Sequence, residues 1–314
     1  MISPEMIGNG RYWMRSWKLV EGCAKVSPGC DHCWSEAETL MRTNHPNENI
    51  RRRARAVVME CSANGSIADG TACGWQQVTG FDGKNLLRED NLDLPLRTKK
   101  PTVWAVWNDL FHDDVPDDFR DRAYVGMALC WRHTFLVLTK RSRRMADYWR
   151  SWRDEGGVSD RIVDLAVEQH HRLPPAQRRG VSGALSHVWH GVTTEDQRRA
   201  DERVPDLLAV PGHRFISIDP MLGRITISPW ATSIHAVLLG GESGSKARPM
   251  SPDWVRLVRD QCFYAGVPFF FKQWGSRPHV SAFESVPLVN ANMSLPKKGR
   301  MLDGRTYDAL PWDK

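Results

Sequence analysis

Thr102-Val103-Trp104-Ala105-Val106-Trp107 is an apolar run of β-type residues that breaks off into the polar stretch Asn108-Asp109-Leu110-Phe111-His112-Asp113-Asp114. The same succession returns five times downstream. Residues 134–139 lead into Lys140-Arg141, residues 187–192 into Thr193-Thr194-Glu195, and residues 214–218 into Asp219-Pro220. Residues 235–239 lead into Gly240-Gly241-Glu242-Ser243-Gly244, and residues 267–271 into Lys272-Gln273-Trp274. Near-continuous apolarity in such short runs suits strands buried on both faces, and the longer amphipathic stretches between them give a βα rhythm. The pattern predicts an α/β protein built on a parallel barrel or a doubly wound sheet.

Upstream, residues 16–20 form a weaker strand. Between strands, Val115, Phe119, Ala123, Met127 and Trp131 recur every four residues and predict one helical stripe. A later helix has Ser251 as cap, Pro252 in its first turn, an apolar face of Trp254, Leu257, Val258 and Cys262, and Gly266 as its stop. Further helices are expected near 141–153, 160–172 and 196–209. Residues 46–100 break the rhythm and read as an insertion after the first βα unit, packed over the mouth, with 92–96 as an extended lead-in to the next strand. Residues 1–275 thus form a single barrel-like domain, and the proline-bearing tail 276–314 is irregular chain wrapped on it.

Bulk properties narrow the class. The chain has 314 residues, no apolar run near the ~20 that cross a bilayer, and seven cysteines. Its first residues lack the basic-then-apolar run of a secretion signal, which predicts a reducing cytoplasm and no disulfide framework. A net charge of +6, with arginines grouped at 51–55, 141–144, 178–179 and 198–199, favours an anionic partner such as nucleic acid, although arginines also solvate helix faces.

The chemistry gathers in Gly22-Cys23-Ala24-Lys25-Val26-Ser27-Pro28-Gly29-Cys30-Asp31-His32-Cys33-Trp34, a C-x6-C-x2-C loop that follows the first strand. Three thiolates suit an iron–sulfur cluster with one open iron, whereas structural zinc takes four closed ligands. Spacing alone leaves both open, with Cys61 and Cys73 as further thiols and His32 and His45 as further zinc ligands. In parallel α/β folds ligands bind at the carboxyl ends of strands, so the polar residues there are the site candidates. Asn108, Asp109, Lys140, Thr193, Glu195, Asp219, Gly240 and Gly241 are expected to bind a cofactor. Lys272, Asp109, His112 and Glu242 are expected to act in catalysis. Lys272, at the end of a very apolar strand, needs an acidic partner or an anionic ligand.

In order along the chain, the cysteine loop, Asp109-Leu110-Phe111-His112, Leu138-Thr139-Lys140-Arg141, His190-Gly191-Val192-Thr193, Ser217-Ile218-Asp219-Pro220-Met221-Leu222-Gly223, Gly240-Gly241-Glu242-Ser243-Gly244 and Phe269-Phe270-Phe271-Lys272-Gln273-Trp274-Gly275 resemble the blocks of the phage protein Gp37/Gp68 family. That family resembles radical S-adenosylmethionine enzymes. The resemblance implies a partial or full (βα) barrel of the TIM type, a [4Fe–4S] cluster on Cys23, Cys30 and Cys33, and S-adenosylmethionine as cosubstrate, cleaved to a 5′-deoxyadenosyl radical. It further implies a phage-encoded enzyme of the host cytoplasm that modifies a nucleobase, a hypermodified thymidine in DNA being one case, with flavodoxin or ferredoxin as electron donor. Two departures stand out: radical enzymes commonly space their cysteines C-x3-C-x2-C, and their Gly-Gly-Glu follows the second strand, where this chain has Asn108 and Asp109. The alternative is a zinc-stabilised nucleic-acid-binding protein without catalysis. A Ser/His or Cys/His hydrolase finds no G-x-S-x-G elbow to support it.

Overall fold

A computed structural model describes residues 1–61, 78–154, 185–277 and 299–313. In chain order the strands are β1 (Arg15–Lys18), β2 (Val20–Glu21), β3 (Val58–Glu60), β4 (Val78–Phe81), β5 (Leu86–Leu87), β6 (Val103–Trp107), β7 (Thr134–Thr139), β8 (Val188–Thr193), β9 (His213–Ile218), β10 (Ala236–Gly240) and β11 (Phe269–Gln273). The helices are α1 (Pro4–Gly8), α2 (Trp34–Arg42), α3 (Glu48–Arg55), α4 (Leu94–Arg97), α5 (Asp117–Leu129), α6 (Ser142–Asp154), α7 (Gln197–Leu208) and α8 (Pro252–Ala265). Seven strands, in the order β1-β6-β7-β8-β9-β10-β11, form one all-parallel sheet curled into a half-barrel.

Strand periodicity sorts the side chains into two cores. On one face Trp104, Val106, Phe135, Val137, Ile216, Ile218, Leu239 and Phe271 belong to a large core with α5 to α8. On the other, Val103, Leu136, Trp189, Phe215, Leu238 and Phe270 fill the inside, closed by Ile2, Tyr12 and Trp312 from the two ends of the chain. This division explains Gly191 in β8. A Cβ there would stand 2.3 Å from the Phe215 ring, so the missing side chain is the space into which that ring packs.

Several expectations change in detail. The α5 stripe of Val115, Phe119, Ala123 and Met127 is fully buried, but the helix ends at Leu129 and Trp131 is 65% exposed. Residues 94–97 turn as α4 instead of running extended, because Pro95 sits in the first turn, where its fixed φ suits a helix. In α8 the buried face is Pro252, Val255, Val258 and Cys262, with Trp254 only partly covered; Gly266 ends the helix at φ 68°, in the left-handed region glycine favours. The expected helix at 160–172 lies outside the described residues. In the tail, residues 299–308 follow β11: Arg300 donates to the Phe271 carbonyl at 2.9 Å, Tyr307 O accepts from Phe271 N–H at 2.9 Å, and Asp308 bridges Phe270. This cover occupies a sheet edge that would otherwise be open.

Candidate active site

A cavity of about 170 Å3 lies at the carboxyl ends of the parallel strands. Five of the seven strands contribute residues at their ends: Asn108 and Asp109 after β6, Thr139, Lys140 and Arg141 at the end of β7, Thr193 from β8, Ser217 and Asp219 at the end of β9, and Lys272 from β11. Cys23, Cys30 and Cys33 line the same cavity. All three are free thiols; Cys30 is buried and the other two are half-buried.

The loop that carries these thiols is held from several strand ends at once. Asn108, which adopts φ 56°, donates from Nδ2 to the Val20 carbonyl at 2.8 Å and accepts from Ser35 Oγ at 3.0 Å. Arg141 Nη1 lies 4.0 Å from Cys23 Sγ and 2.8 Å from Asp109 Oδ2. Asp109 in turn accepts from Thr139 Oγ1 at 2.5 Å and from Phe111 N–H at 3.0 Å. Glu195, wholly buried, is paired with Arg203 at 2.9 Å and accepts from Gly29 N–H at 3.4 Å. Glu242, its side chain 4% exposed, accepts from Arg248 Nε at 2.9 Å, from Arg248 Nη2 at 2.6 Å, and from the Arg248 backbone N–H at 2.8 Å. Arg248 continues to the Pro28 carbonyl at 2.8 Å and to Asp31 at 3.3 Å, while His32 Nδ1 meets Glu242 at 3.2 Å. A buried carboxylate is costly unless paired and hydrogen-bonded, and here each is both.

These partners set the electrostatics. Burial, then the Asp109 carboxylate, pushes the Cys23 thiol up to about 11, with Arg141 acting the other way. Burial alone would raise Glu242, but the hydrogen bonds from Arg248 outweigh it and hold the carboxyl below its usual range. Lys272 has found its acid: Nζ lies 2.5 Å from Asp219 Oδ2. Burial, then Asp219, keeps the Tyr12 phenol protonated far above its ordinary range, with Ser217 bonded to it.

The expected residues therefore divide. Asn108, Asp109, Lys140, Thr193, Asp219, Lys272 and the three cysteines share the cavity. Glu195 and Glu242 sit behind the cysteine loop and brace it. His112 is buried beside Asn85, with Nδ1 2.6 Å from Asn85 Nδ2, and burial lowers its pKa; it braces the turn after β6. Gly240 and Gly241 are demanded by packing. A Cβ on Gly241 would stand 2.0 Å from the Trp274 carbonyl oxygen, and one on Gly240 3.0 Å from Asp219 Oδ1. The aromatic side of the cavity, Tyr12, Trp13, Trp34, Trp107 and Phe81, carried no signal of spacing, and neither did Arg141 within its arginine run.

The remaining zinc candidates are engaged elsewhere. His32 faces Glu242, His45 Nδ1 accepts from Asn47 N–H at 3.0 Å, and Cys61 is disulfide-bonded, a correction to the expectation of unpaired thiols only. Cys73 lies outside the described residues. Among the described residues, no three His, Cys, Asp or Glu side chains converge on a point that could hold one metal ion. The three thiols share a wall, not a single point.

A family model described as a protein of unknown function, DUF5131, matches residues 10–311. The chain belongs to that family. The DUF5131 match takes in the cysteine loop, the whole half-barrel and the covered edge of β11. Curated proteins and solved structures give no match. No helix among the described residues of this DUF5131 chain is long and apolar enough to cross a membrane.

Proposed function

We propose that this chain is a radical S-adenosylmethionine-type enzyme of the Gp37/Gp68 kind, phage-encoded, that modifies a nucleobase with a [4Fe–4S] cluster on Cys23, Cys30 and Cys33. One observation carries the reading: three free thiols of a single loop line the same cavity as the polar ends of β6, β7, β8, β9 and β11. The donor set suits the group. Three thiolates without a fourth protein ligand leave one iron open, as such a cluster requires, and a site with only three ligands does not suit structural zinc. When bound, the cluster and S-adenosylmethionine supply a 5′-deoxyadenosyl radical, with an electron from a flavodoxin or ferredoxin.

The chain's own residues do the rest. Cys23 must give up its proton to become a ligand, and Arg141, 4.0 Å from its sulfur, favours the thiolate. Asp109, itself held by the Thr139 hydroxyl, fixes the Arg141 guanidinium. Asn108 ties the loop to β6. Lys272 is positioned on the cavity wall by its pair with Asp219. The aromatic side, together with Val26 and Leu138, keeps water away from the polar floor.

The test is anaerobic purification with iron and sulfide analysis, then reduction and incubation with S-adenosylmethionine. Brown protein that forms 5′-deoxyadenosine, and loses both colour and product on Cys30→Ala, is the expected outcome. Colourless protein with one zinc, or a Cys30→Ala variant that still forms 5′-deoxyadenosine, would overturn it.

A further inference from the structure

We infer that the mouth of this cavity is a nucleotide subsite, where a base stacks on the exposed indole of Trp34 with Trp107 standing edge-on beside it, and Lys140 takes the phosphate. The inference deepens the nucleobase reading above but stands on different residues. Trp34 is 51% exposed at the start of α2, directly after Cys33, and lines the cavity without being needed in either core. It meets Trp107 edge to face at 5.9 Å, and Trp107 meets Trp13 in the same way at 5.0 Å. At 51% exposure, Trp34 offers an open π-face at the mouth, and a planar base is the group that uses such a face.

Charge selects an anion. The cavity wall carries three cations, Lys140, Arg141 and Lys272, and two carboxylates, Asp109 and Asp219. Arg141 pairs with Asp109 at 2.8 Å and Lys272 with Asp219 at 2.5 Å. Lys140 has no carboxylate within ion-pair distance among the described residues. The one unmatched charge on the wall is therefore a half-buried ammonium, which an anionic group would balance. The size agrees: about 170 Å3 is close to the ~150 Å3 that encloses a single benzene ring, so the space takes one ring of the size of a base.

Part of the clustered arginine charge is already paired within the chain: Arg51 with Glu48, Arg143 with Asp147, Arg144 with Asp117, Arg198 with Glu202 and Arg199 with Asp196. The cavity itself offers one unpaired cation, Lys140, so the subsite takes one nucleotide unit, whether free or as part of a single strand.

Calorimetric titration of the full chain with thymidine, thymidine 5′-monophosphate and oligothymidylate tests this. The monophosphate should bind about tenfold or more tighter than thymidine, and Lys140→Met should erase that ratio while leaving thymidine affinity unchanged. Trp34→Leu should weaken both ligands about five- to a hundredfold, and Trp34→Phe, which keeps a π-face, should restore most of the loss. A salt dependence with a slope of about one for both the monophosphate and oligothymidylate supports a subsite for the free nucleotide; a steeper slope for oligothymidylate supports the same subsite filled from a strand. Absence of binding, or an unchanged phosphate preference in Lys140→Met, overturns the inference. Iron analysis of the same preparations reports separately on the cluster: iron-free protein that binds the monophosphate keeps the subsite and removes the radical reading, and the reverse result does the opposite.

Discussion

Replacing Arg248 with Ala should release the cysteine loop without unfolding the barrel. The side chain joins Glu242, at the end of β10, to the Pro28 carbonyl and Asp31 inside the loop. Truncation removes two hydrogen bonds from a carboxylate whose side chain is only 4% exposed, leaving it the Arg248 backbone N–H and His32. Breaking a buried ion pair costs about 3–5 kcal/mol, but the Arg248 side chain is 32% exposed and water recovers part of this, so about 2–3 kcal/mol is expected. At about 1.4 kcal/mol per decade this raises the opened-loop population roughly 30- to 140-fold. The assay is alkylation of Cys30, 8% exposed, followed by mass spectrometry, with Cys130, fully buried among the helices, as internal reference. Cys30 should react faster by that factor while Cys130 keeps its rate. Equal Cys30 rates in the two proteins would refute the clamp; a parallel rise at Cys130 would show that the residue supports the whole domain instead.

Gly191→Ala places a methyl 2.3 Å from a ring carbon of Phe215, inside the half-barrel where nothing flexible can yield; a loss of about 1–3 kcal/mol is expected, read as a melting temperature lowered by roughly 2–10 °C, and an unchanged Tm would refute the packing argument. His190 is wholly buried against Tyr124, 3.0 Å from its hydroxyl, and burial lowers its imidazole from 6.5 to about 3. The unfolded chain therefore takes up this proton first. Stability is fully present above about pH 6.5 and declines toward pH 3, by about 2 kcal/mol between pH 6.5 and 5 relative to His190→Gln; parallel urea midpoints for the two proteins across that range would show that the imidazole is not buried neutral.

The strands of the large sheet could be read from the chain because a parallel strand buried on both faces must be apolar throughout, and the polar residue that follows it marks the mouth; their order, left open between a barrel and a doubly wound sheet, could not. Residues 102–107 and 267–271 differ from their surroundings for that reason alone, and Asn108 and Lys272 take their positions from it. What such a pattern lacks is distance. Glu195 and Glu242 follow strands as Asp219 does, yet they turn behind the loop, to partners at Gly29 and His32 that are 166 and 210 residues away in sequence. No local spacing encodes a contact of that separation. Trp34 and Trp107 were similarly silent, since an indole reads as core until its exposure is known. For the arginine runs the charge is visible in sequence but the pairing is not: the carboxylate partners of Arg51, Arg143, Arg144, Arg198 and Arg199 become neighbours through helical turns and packing.

The bracing of the loop and the openness of the mouth are two sides of one requirement. A loop with Ser27-Pro28-Gly29 at its centre has little regular structure beyond a single 3-10 turn at Pro28–Cys30, so its three sulfurs would be spread over many arrangements if free. Ordering each residue of such a loop costs roughly 1–2 kcal/mol of backbone entropy. The carboxylates behind it, Glu195 and Glu242, offset that cost during folding because their own charges are already neutralised by Arg203 and Arg248 on the protein side. Among the described residues Lys140 has no such neutraliser, and Trp34 is 51% exposed. The two carboxylates that brace the loop are satisfied within the chain, while Lys140 and Trp34 at the mouth are not. Lys140 and Trp34, which line the same cavity as the braced thiols, thus stay available for the nucleotide inferred above.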